Sequence, residues 1–367
     1  MHYLDYAATA PLRPEAREAM LAQWDLVGNP SSLHTAGRAA RRVVEESREQ
    51  IAALIGAKPG DLIFTSGGTE ADNLALKGIP AAGEKRRVLI SSIEHHAVLD
   101  PAQALTGCQV EAIPVDCLGR VQVDILEQML DDDVALVAVM WANNEVGTIQ
   151  PIAQIADLCK RRGIPLHSDA VQMLGQLDLD VAGVPSVALS AHKVGGPVGV
   201  GVLVLDRSLA VQPLLHGGGQ ERDVRSGTVD AAGIAGFAAA LAAPVVDVQP
   251  LRDALIDGVQ RVVPDAVLNG DPENRLPHNA HFSFPGCPGD ALLMLLDAAG
   301  IAVSTGSACT AGIPQPSHVL MAMGAPEGLA RSSLRFSLGW ASTQADVDAL
   351  LAALPGAVER ARRAGLK

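Results

Sequence analysis

The sequence predicts an α/β fold with a mostly parallel central sheet that is covered by helices on both faces. Short runs rich in Val, Ile and Leu alternate with polar clusters and helical stretches, which is typical of parallel strands buried on both sides. The 367 residues suit one large domain with a smaller companion. Hydrophobic residues form 48% of the chain and aromatic residues only 3%, so the core must be mainly aliphatic.

Six apolar runs are predicted as strands of this sheet. They are Leu62–Thr65, Val88–Ser92, Val134–Met140, Ile164–His167, Val187–Ser190 and Gly199–Leu205. Helical stretches between them include Glu70–Lys77, Leu126–Leu130 and Ile152–Arg162. Ligands of open α/β sheets bind beyond the carboxyl ends of the strands, so the residues that follow each run are the candidates for a functional site.

The pattern changes near Ala243-Pro244. Beyond it we predict helices at Leu251–Val262 and Asp290–Ala299, and strands at Asn279–Phe284 and Ser332–Ser337. These elements predict a smaller α+β domain. We therefore expect a large domain over residues 15–245, and a small domain formed by residues 246–367 together with residues 1–14.

Composition excludes several classes of protein. The net charge of −13 excludes a chain-wide basic surface of the kind that nucleic acids require. No apolar window is long enough to span a bilayer, and the first residues lack the pattern of a signal peptide, so we expect a cytoplasmic protein. The five cysteines contain no CxxC pair, which argues against a disulfide framework or a structural zinc site.

An anion site is predicted after the first strand. Gly67 and Gly68 would let the backbone approach a ligand, and Thr69 and Asp72 have the spacing of a capping box at a helix start. Exposed N–H groups at such a start favour a phosphate. A plain glycine turn with a cap is an equally good interpretation of this segment alone. Neither GxxxxGK[ST] nor GxGxxG occurs, which argues against an ATPase or a NAD-dependent dehydrogenase.

Lys193 differs from the other five lysines. Each of those has a simple explanation on the solvated surface, whereas Lys193 lies between an apolar strand and a glycine-rich stretch, where its pKa could be lowered for Schiff-base chemistry. Asp169 ends another strand 24 positions earlier, and a buried aspartate requires a cationic partner. Pyridoxal phosphate needs such a lysine, an acid at its pyridine nitrogen and donors to its phosphate, so the conjunction predicts this cofactor.

Eight segments resemble the NifS/IscS-type cysteine desulfurases. They are residues 4–9 (LDYAAT), 28–32 (GNPSS), 66–70 (SGGTE), 143–147 (NNEVG), 190–193 (SAHK), 216–222 (HGGGQER), 225–228 (RSGT) and 304–310 (STGSACT). Their order and spacing hold from residue 4 to about residue 340. The resemblance implies the fold of the class V aminotransferases, within the fold-type I enzymes that use pyridoxal 5'-phosphate, and a homodimer with active sites at the subunit interface.

The resemblance also assigns roles to single residues. Lys193 would bind the cofactor covalently and move the substrate Cα proton, with His95 stacking on the ring and assisting proton transfer. Asp169 would pair with the pyridine nitrogen and Gln172 with the ring hydroxyl. The phosphate would be bound by Gly68, Thr69, Ser190, His192 and, from the partner subunit, Thr228. Asn144, which also borders the cofactor, would hold the substrate carboxylate together with Arg335, whose fork suits a carboxylate.

Cys309 is the expected nucleophile, because the sequence around it has almost no apolar anchor and resembles the IscS-type loop. The implied reaction takes sulfur from L-cysteine, releases L-alanine and leaves a persulfide on Cys309. An iron–sulfur scaffold, a cluster protein or a tRNA-thiolation enzyme would accept the sulfur. Scaffold-docking relatives carry a C-terminal tail beyond the point where this chain ends, so we expect no docking through such a tail. Transient ligation of a cluster by Cys309 stays open.

Other functions on the same fold are weighed against this one. A selenocysteine lyase or another class V enzyme is the alternative activity, although an aminotransferase would have no use for the Cys309 thiol. A non-catalytic binding protein is disfavoured by the presence of both Lys193 and Cys309.

Overall fold

The computed structural model describes residues 1–306 and 315–365. The strands are His2–Tyr3 (β1), Leu62–Thr65 (β2), Arg87–Ser91 (β3), Gln109–Ile113 (β4), Val134–Ala138 (β5), Leu166–Asp169 (β6), Ser186–Ser190 (β7), Gly201–Leu205 (β8), Val267–Leu268 (β9), Asn279–Ser283 (β10), Ile301–Ala302 (β11) and Ser333–Ser337 (β12). The α-helices are Pro14–Trp24 (α1), Thr35–Leu54 (α2), Gly68–Ala81 (α3), His96–Gln103 (α4), Val123–Met129 (α5), Ile152–Arg161 (α6), Ala231–Ala242 (α7), Gln249–Val262 (α8), Gly289–Ala298 (α9), His318–Ala322 (α10), Glu327–Ala330 (α11) and Gln344–Gly365 (α12).

The central sheet has seven strands in the order β2-β8-β7-β6-β5-β3-β4. β8 runs antiparallel to both of its neighbours, and the remaining pairs are parallel. All residues of β5 and β7 are buried, as expected for strands that are covered on both faces. The predicted α/β fold with a mostly parallel sheet is therefore confirmed.

All six predicted strands of the central sheet are present; Leu62–Thr65 has the predicted bounds, and the other five have shifted ends. β6 begins at Leu166 and continues through Asp169, so the predicted strand at Ile164–His167 began and ended too early. β4 was not predicted, because it is an edge strand of which only Ile113 is buried, whereas β2 at the other edge is buried throughout. Such an edge strand lacks the continuous apolar run that marks a central one.

A second sheet, ordered β12-β10-β9, is antiparallel. Its core contains Phe282, Phe284 and Phe336, whose ring centroids lie 6.1–6.4 Å apart. Leu4 belongs to this same core, in keeping with the grouping of the first residues with the C-terminal part. Val319, however, packs into the core of the central sheet. The predicted domain boundaries stay a prediction.

The N-terminal segment connects the two sheets. β1 pairs with β11, and Asp5 forms a bridge to Ser337 of β12. The Ala7 N–H donates to Ser337 Oγ, and the Ala10 N–H donates to the carbonyl oxygen of His192, beyond β7. Residues 5–10 therefore lie against the carboxyl end of the central sheet.

Candidate active site

A cavity of about 370 Å³ lies at the carboxyl ends of β3, β5, β6 and β7. This is the position that the sequence predicts for a ligand in an open α/β sheet. Ten of the predicted site residues line it: Gly68, Thr69, His95, Asn144, Asp169, Gln172, Ser190, His192, Lys193 and Arg335. Side chains from strand ends far apart in the sequence therefore meet in one cavity.

The start of α3 forms one wall of the cavity. Gly67 has φ +154°, which disfavours any residue with a side chain, and a Cβ on Gly68 would lie 2.9 Å from Val171 Cγ2. The glycines therefore bring backbone N–H groups to the cavity, at the positive end of a 14-residue helix. The predicted Thr69–Asp72 capping box is not formed, because no side chain caps this end; Glu70 instead accepts from the N–H of Ser66, which precedes the helix, at 2.6 Å.

Lys193 extends from a short 3₁₀ turn, Ala191–Lys193, directly after β7. Its Nζ donates to the carbonyl oxygens of Ala7 at 2.6 Å and Ala8 at 2.9 Å. Burial, assisted by the charge of Arg335, lowers the pKa of Lys193 to about 8. A substantial fraction of neutral amine is therefore present near neutral pH, which is the form that reacts with an aldehyde.

Asp169 ends β6 and is 7% exposed. Its Oδ1 accepts from the Val171 N–H at 2.9 Å. Burial, followed by the charge of Asp72, raises the pKa of Asp169 to about 7, and Lys193 opposes this rise. A cation placed at this carboxyl group, such as a protonated ring nitrogen, would favour its ionised form.

Two histidines of the cavity wall are neutral at pH 7. His95 is the N-cap of α4, and its Nδ1 accepts from the Ala97 N–H at 3.1 Å, so the ring proton lies on Nε2. His192 Nδ1 lies 3.1 Å from Thr9 Oγ1. Burial, together with the charge of Lys193, lowers the pKa of both rings to about 4.

Arg335 lies on β12 and is 4% exposed. Its Nη1 donates to the Asn144 carbonyl oxygen at 2.8 Å and its Nη2 to Asp5 Oδ1 at 2.9 Å. Its Nε has no hydrogen-bond partner among the described residues. Gln172 is fixed nearby by the hydrogen bond from its Nε2 to the Ala7 carbonyl oxygen. The guanidinium therefore has a fixed position in the cavity wall.

Two predicted residues are not part of this cavity wall. Thr228 is exposed and lies outside the described cavity lining. Its loop is anchored by the ion pairs of Glu221 with Arg48 and of Arg225 with Glu70. Cys309 lies outside the described residues.

Sequence reasoning missed four buried polar residues in or beside the cavity. Asp72 and Glu145 line it, and Glu94 directly precedes His95. The fourth is His281, because a Cβ placed on the cavity-lining Gly306 would lie 3.2 Å from its Nε2. All four are at most 2% exposed. The sequence offered one usable signal, because Asp72 follows the glycine pair by a single helical turn and so faces the same way as Gly68.

The cavity fits pyridoxal phosphate. It combines the Lys193 amine, the Asp169 carboxylate at a strand end, and the start of α3, where a Cβ on Gly68 would lie too close to Val171. These groups are, respectively, the ones that the aldehyde, the ring nitrogen and the phosphate of the cofactor require. The described residues contain no cluster of three or more potential metal ligands and no helix able to cross a membrane.

The fold and this site define an α/β enzyme of the pyridoxal phosphate type. Comparison with known proteins identifies its family. Residues 2–350 match the family model described as aminotransferase class-V. An IscS-like cysteine desulfurase of Mycobacterium tuberculosis is 54% identical over 100% of this chain and 98% of the relative. The chain belongs to the class V aminotransferases and, within them, to the IscS/NifS-type cysteine desulfurases.

Solved structures agree with this assignment. A structure named NifS-like protein has a TM-score of 0.90 and 34% identity, covering 98% of this chain and 99% of the other. A structure described as SspA in complex with cysteine has a TM-score of 0.83 and 32% identity, covering 94% of this chain and 100% of the other. The predicted family, fold and cofactor are therefore confirmed.

Replacing His281 with Gln should remove an acid-sensitive contribution to stability. Burial, with Arg335 and Arg275 nearby, lowers the pKa of His281 to about 3, whereas an unfolded histidine has a pKa of about 6.5. As the pH falls below about 6.5, His281 binds a proton in the unfolded chain but stays neutral in the folded one. The free energy of unfolding of the parent should therefore fall by about 2 kcal/mol from this site by about pH 5. Urea unfolding of both proteins at neutral and acid pH measures the difference.

His216→Gln is the matched control, because His216 is exposed. On acidification, we expect the free energy of unfolding of His281→Gln to rise relative to that of the parent. The difference between the control and the parent should stay constant. A parent–variant difference that does not change with pH would contradict the buried, neutral state of His281.

Proposed function

We propose that this chain is a cysteine desulfurase that converts L-cysteine to L-alanine and holds the released sulfur as a persulfide on Cys309. The observation that carries the proposal is the Lys193 amine, buried in one cavity with Asp169 and the start of α3. The full-length similarity to cysteine desulfurases favours this activity over a selenocysteine lyase.

Pyridoxal phosphate supplies the electron sink that lets the substrate Cα lose its proton. In the proposed mechanism, Lys193 Nζ would hold the cofactor covalently, and the same amine would carry the substrate Cα proton. Its lowered pKa suits both tasks, because the amine is available as a base near neutral pH. Asp169 would hold the ring nitrogen in its protonated form, and Gln172 would bind the ring hydroxyl.

The phosphate and the substrate carboxylate occupy separate anion sites in this proposal. The start of α3, with Gly68, Thr69, Ser190 and His192, would hold the phosphate. Arg335 and Asn144 would hold the substrate carboxylate. Arg335 is suited to this because its hydrogen bonds to Asp5 and the Asn144 carbonyl fix its plane before substrate binds.

Cys309 receives the sulfur. Its segment begins after Gly306 and leads to His318, and both of these residues line the cavity. The Cys309 thiolate attacks the substrate sulfur, so that an S–S bond forms while the Cβ–S bond breaks. The carbon skeleton keeps the bonding electron pair, takes up protons and leaves as L-alanine. The persulfide then passes to an acceptor, for which we propose an iron–sulfur scaffold, a cluster protein or a tRNA-thiolation enzyme in the cytoplasm.

Lys193→Ala should abolish both the cofactor's covalent attachment and turnover. Without the amine, purified protein should lose the yellow absorbance of the lysine-bound cofactor, and alanine release should fall by at least about 10³-fold, because the base is lost with the attachment. Absorbance spectra and an alanine assay test this. Lys160→Ala, on the last turn of α6, is the control and should remain yellow and active. A colourless parent, or an active Lys193→Ala, would refute the proposed function.

Cys309→Ser should keep the cofactor absorbance but lose sulfur transfer. The hydroxyl is a far weaker nucleophile toward sulfur than a thiolate, so alanine and sulfide should form at a small fraction of the parental rate. Cys117→Ser, at an exposed cysteine, is the control. Mass spectrometry after treatment with L-cysteine should show one added sulfur on Cys309 in the parent and the control. A parental rate in Cys309→Ser would exclude Cys309 as the nucleophile.

We also propose that the chain works as a homodimer in which Thr228 completes the partner's phosphate site. Thr228 is exposed on an anchored loop, and the apolar side chains of Trp24, Val27 and Leu33 are 64%, 88% and 85% exposed. Large exposed apolar side chains of this kind favour a protein interface.

Mixed dimers of Lys193→Ala and Thr228→Val chains test this arrangement. If Thr228 serves the partner, one of the two sites in each mixed dimer is intact and should bind cofactor with parental affinity. If Thr228 serves its own chain, the single lysine-bearing site lacks the hydroxyl and should bind it more weakly. Cofactor titration of tagged, purified mixed dimers distinguishes the two outcomes, and a monomer in ultracentrifugation would exclude the proposed service of Thr228 to a partner.

A further inference from the structure

Three carboxyl groups are buried together beneath the cavity. Asp72 on α3, Glu94 after β3 and Asp169 at the end of β6 are 1%, 1% and 7% exposed. Each of the first two has one oxygen, Asp72 Oδ2 or Glu94 Oε2, without a hydrogen-bond partner among the described residues. An ionised Asp72 would raise the pKa of both Glu94 and Asp169. All three therefore cannot be ionised at once without strong mutual repulsion.

Only one of these carboxyl groups has a cation acting on it. The charge of Lys193 favours the ionised form of Asp169. Within residues 1–306 and 315–365, neither Asp72 nor Glu94 forms an ion pair with a lysine or arginine. A buried carboxylate without such a partner takes up a proton, and burial raises the pKa of Asp72 and of Glu94 well above the usual range.

Asp72 also has a hydrogen-bonded chain suited to hold that proton. Its Oδ1 lies 3.1 Å from His167 Nε2, and His167 Nδ1 lies 2.8 Å from Ser186 Oγ. His167 is fully buried, and burial lowers its pKa to about 4, so its ring is neutral and offers one donor and one acceptor. A protonated Asp72 would donate to Nε2, and the Nδ1–H would donate to the Ser186 hydroxyl.

We propose that Asp72 is a protonated acid in the working enzyme and that, through its chain to His167 and Ser186, it is a positioning residue that leaves Asp169 as the ionised carboxylate beneath the cofactor ring. This inference rests on the proposed function only in placing the ring at Asp169. His167 and Asp169 lie two residues apart on β6 and face the same side of the sheet, so the chain borders Asp169 directly along the strand.

The charge state of Asp72 matters because of its effect on Asp169. A second carboxylate nearby would raise the pKa of Asp169 by about one to three units, and a neutral Asp169 could not stabilise a protonated ring nitrogen. The groups that face Asp72 and Asp169 from the packed elements are His167, Glu94 and Lys193. With Asp72 and Glu94 protonated and His167 neutral, Asp169 and Lys193 are the two groups of this set that can carry charge.

Infrared spectroscopy of the holoenzyme tests the proton directly. A protonated carboxyl group has a carbonyl stretch that a carboxylate lacks, and at neutral pH Asp72→Asn should lose part of this band. Asp157→Asn, at an exposed carboxyl group on α6, should retain all of it. A band that is unchanged in Asp72→Asn would overturn the proposal.

The spectrum of the cofactor gives a second readout. The measured quantity is the pH midpoint of the absorbance change that accompanies deprotonation of the lysine-bound cofactor. Asn replaces a neutral acid with a neutral isostere, so this midpoint should move by less than about 0.3 unit in Asp72→Asn, whereas loss of an ionised group would move it by about one unit or more. A shift of that larger size would overturn the proposal.

The tautomer of His167 can be measured without any variant at Asp72. ¹⁵N NMR of histidine-labelled holoenzyme should show His167 with its proton on Nδ1, the resonance being assigned by its shift in Ser186→Ala. A proton on Nε2 would mean that Asp72 accepts, and would overturn the proposal even if Asp72→Asn fails to fold. Failure of the proposed function looks different, because the parent would then release no L-alanine from L-cysteine while the infrared band and the His167 tautomer of the cofactor-loaded protein would stay as expected.

Discussion

The site depends on a single constraint: a lysine amine must be taken out of water and placed beside a carboxylate. The parallel pairing of β6 with β7 meets it, because Asp169 ends one strand and Lys193 follows the end of the next. Removing both groups from water is costly unless other polar groups replace the solvent. Two backbone carbonyl oxygens, from Ala7 and Ala8, do so for the amine.

That arrangement makes the N-terminal segment part of the site. The carbonyl groups of Ala7 and Ala8 accept from Lys193, the Asp5 carboxylate accepts from Arg335, and the Leu4 side chain packs in the core of the second sheet. A short stretch of chain thus joins the amine, the guanidinium and the smaller sheet. The position of Arg335 relative to Lys193 therefore depends on how the second sheet docks against the first.

Each sequence pattern predicts only the structural property on which it depends. Aliphatic runs report burial on both faces, so they located the central strands but not the edge strand β4. Strand direction is set by the connection: the short glycine-rich link from Ser190 to Gly201 contains no crossover helix, and β8 accordingly runs antiparallel to β7. Lys193 could be found because the chain has so few lysines. The pairing of Asp72 with His167 could not, because it joins residues 95 positions apart and depends on how α3 packs on β6.

Few side chains of the cavity and its surroundings carry a charge, so the electrostatic interactions of each charged group are strong. His95, His167 and His192 are neutral at pH 7 because burial lowers the pKa of each ring to about 4. Electrostatic interactions are stronger where water is excluded and no neighbouring ions compensate them. An incoming anion meets the start of α3, the Lys193 amine and the Arg335 guanidinium, whose charge the Asp5 carboxylate partly offsets. Arg335 lies on the second sheet whereas α3 begins directly after β2 of the central sheet, which provides a physical basis for distinguishing the carboxylate of an amino acid from the phosphate of the cofactor.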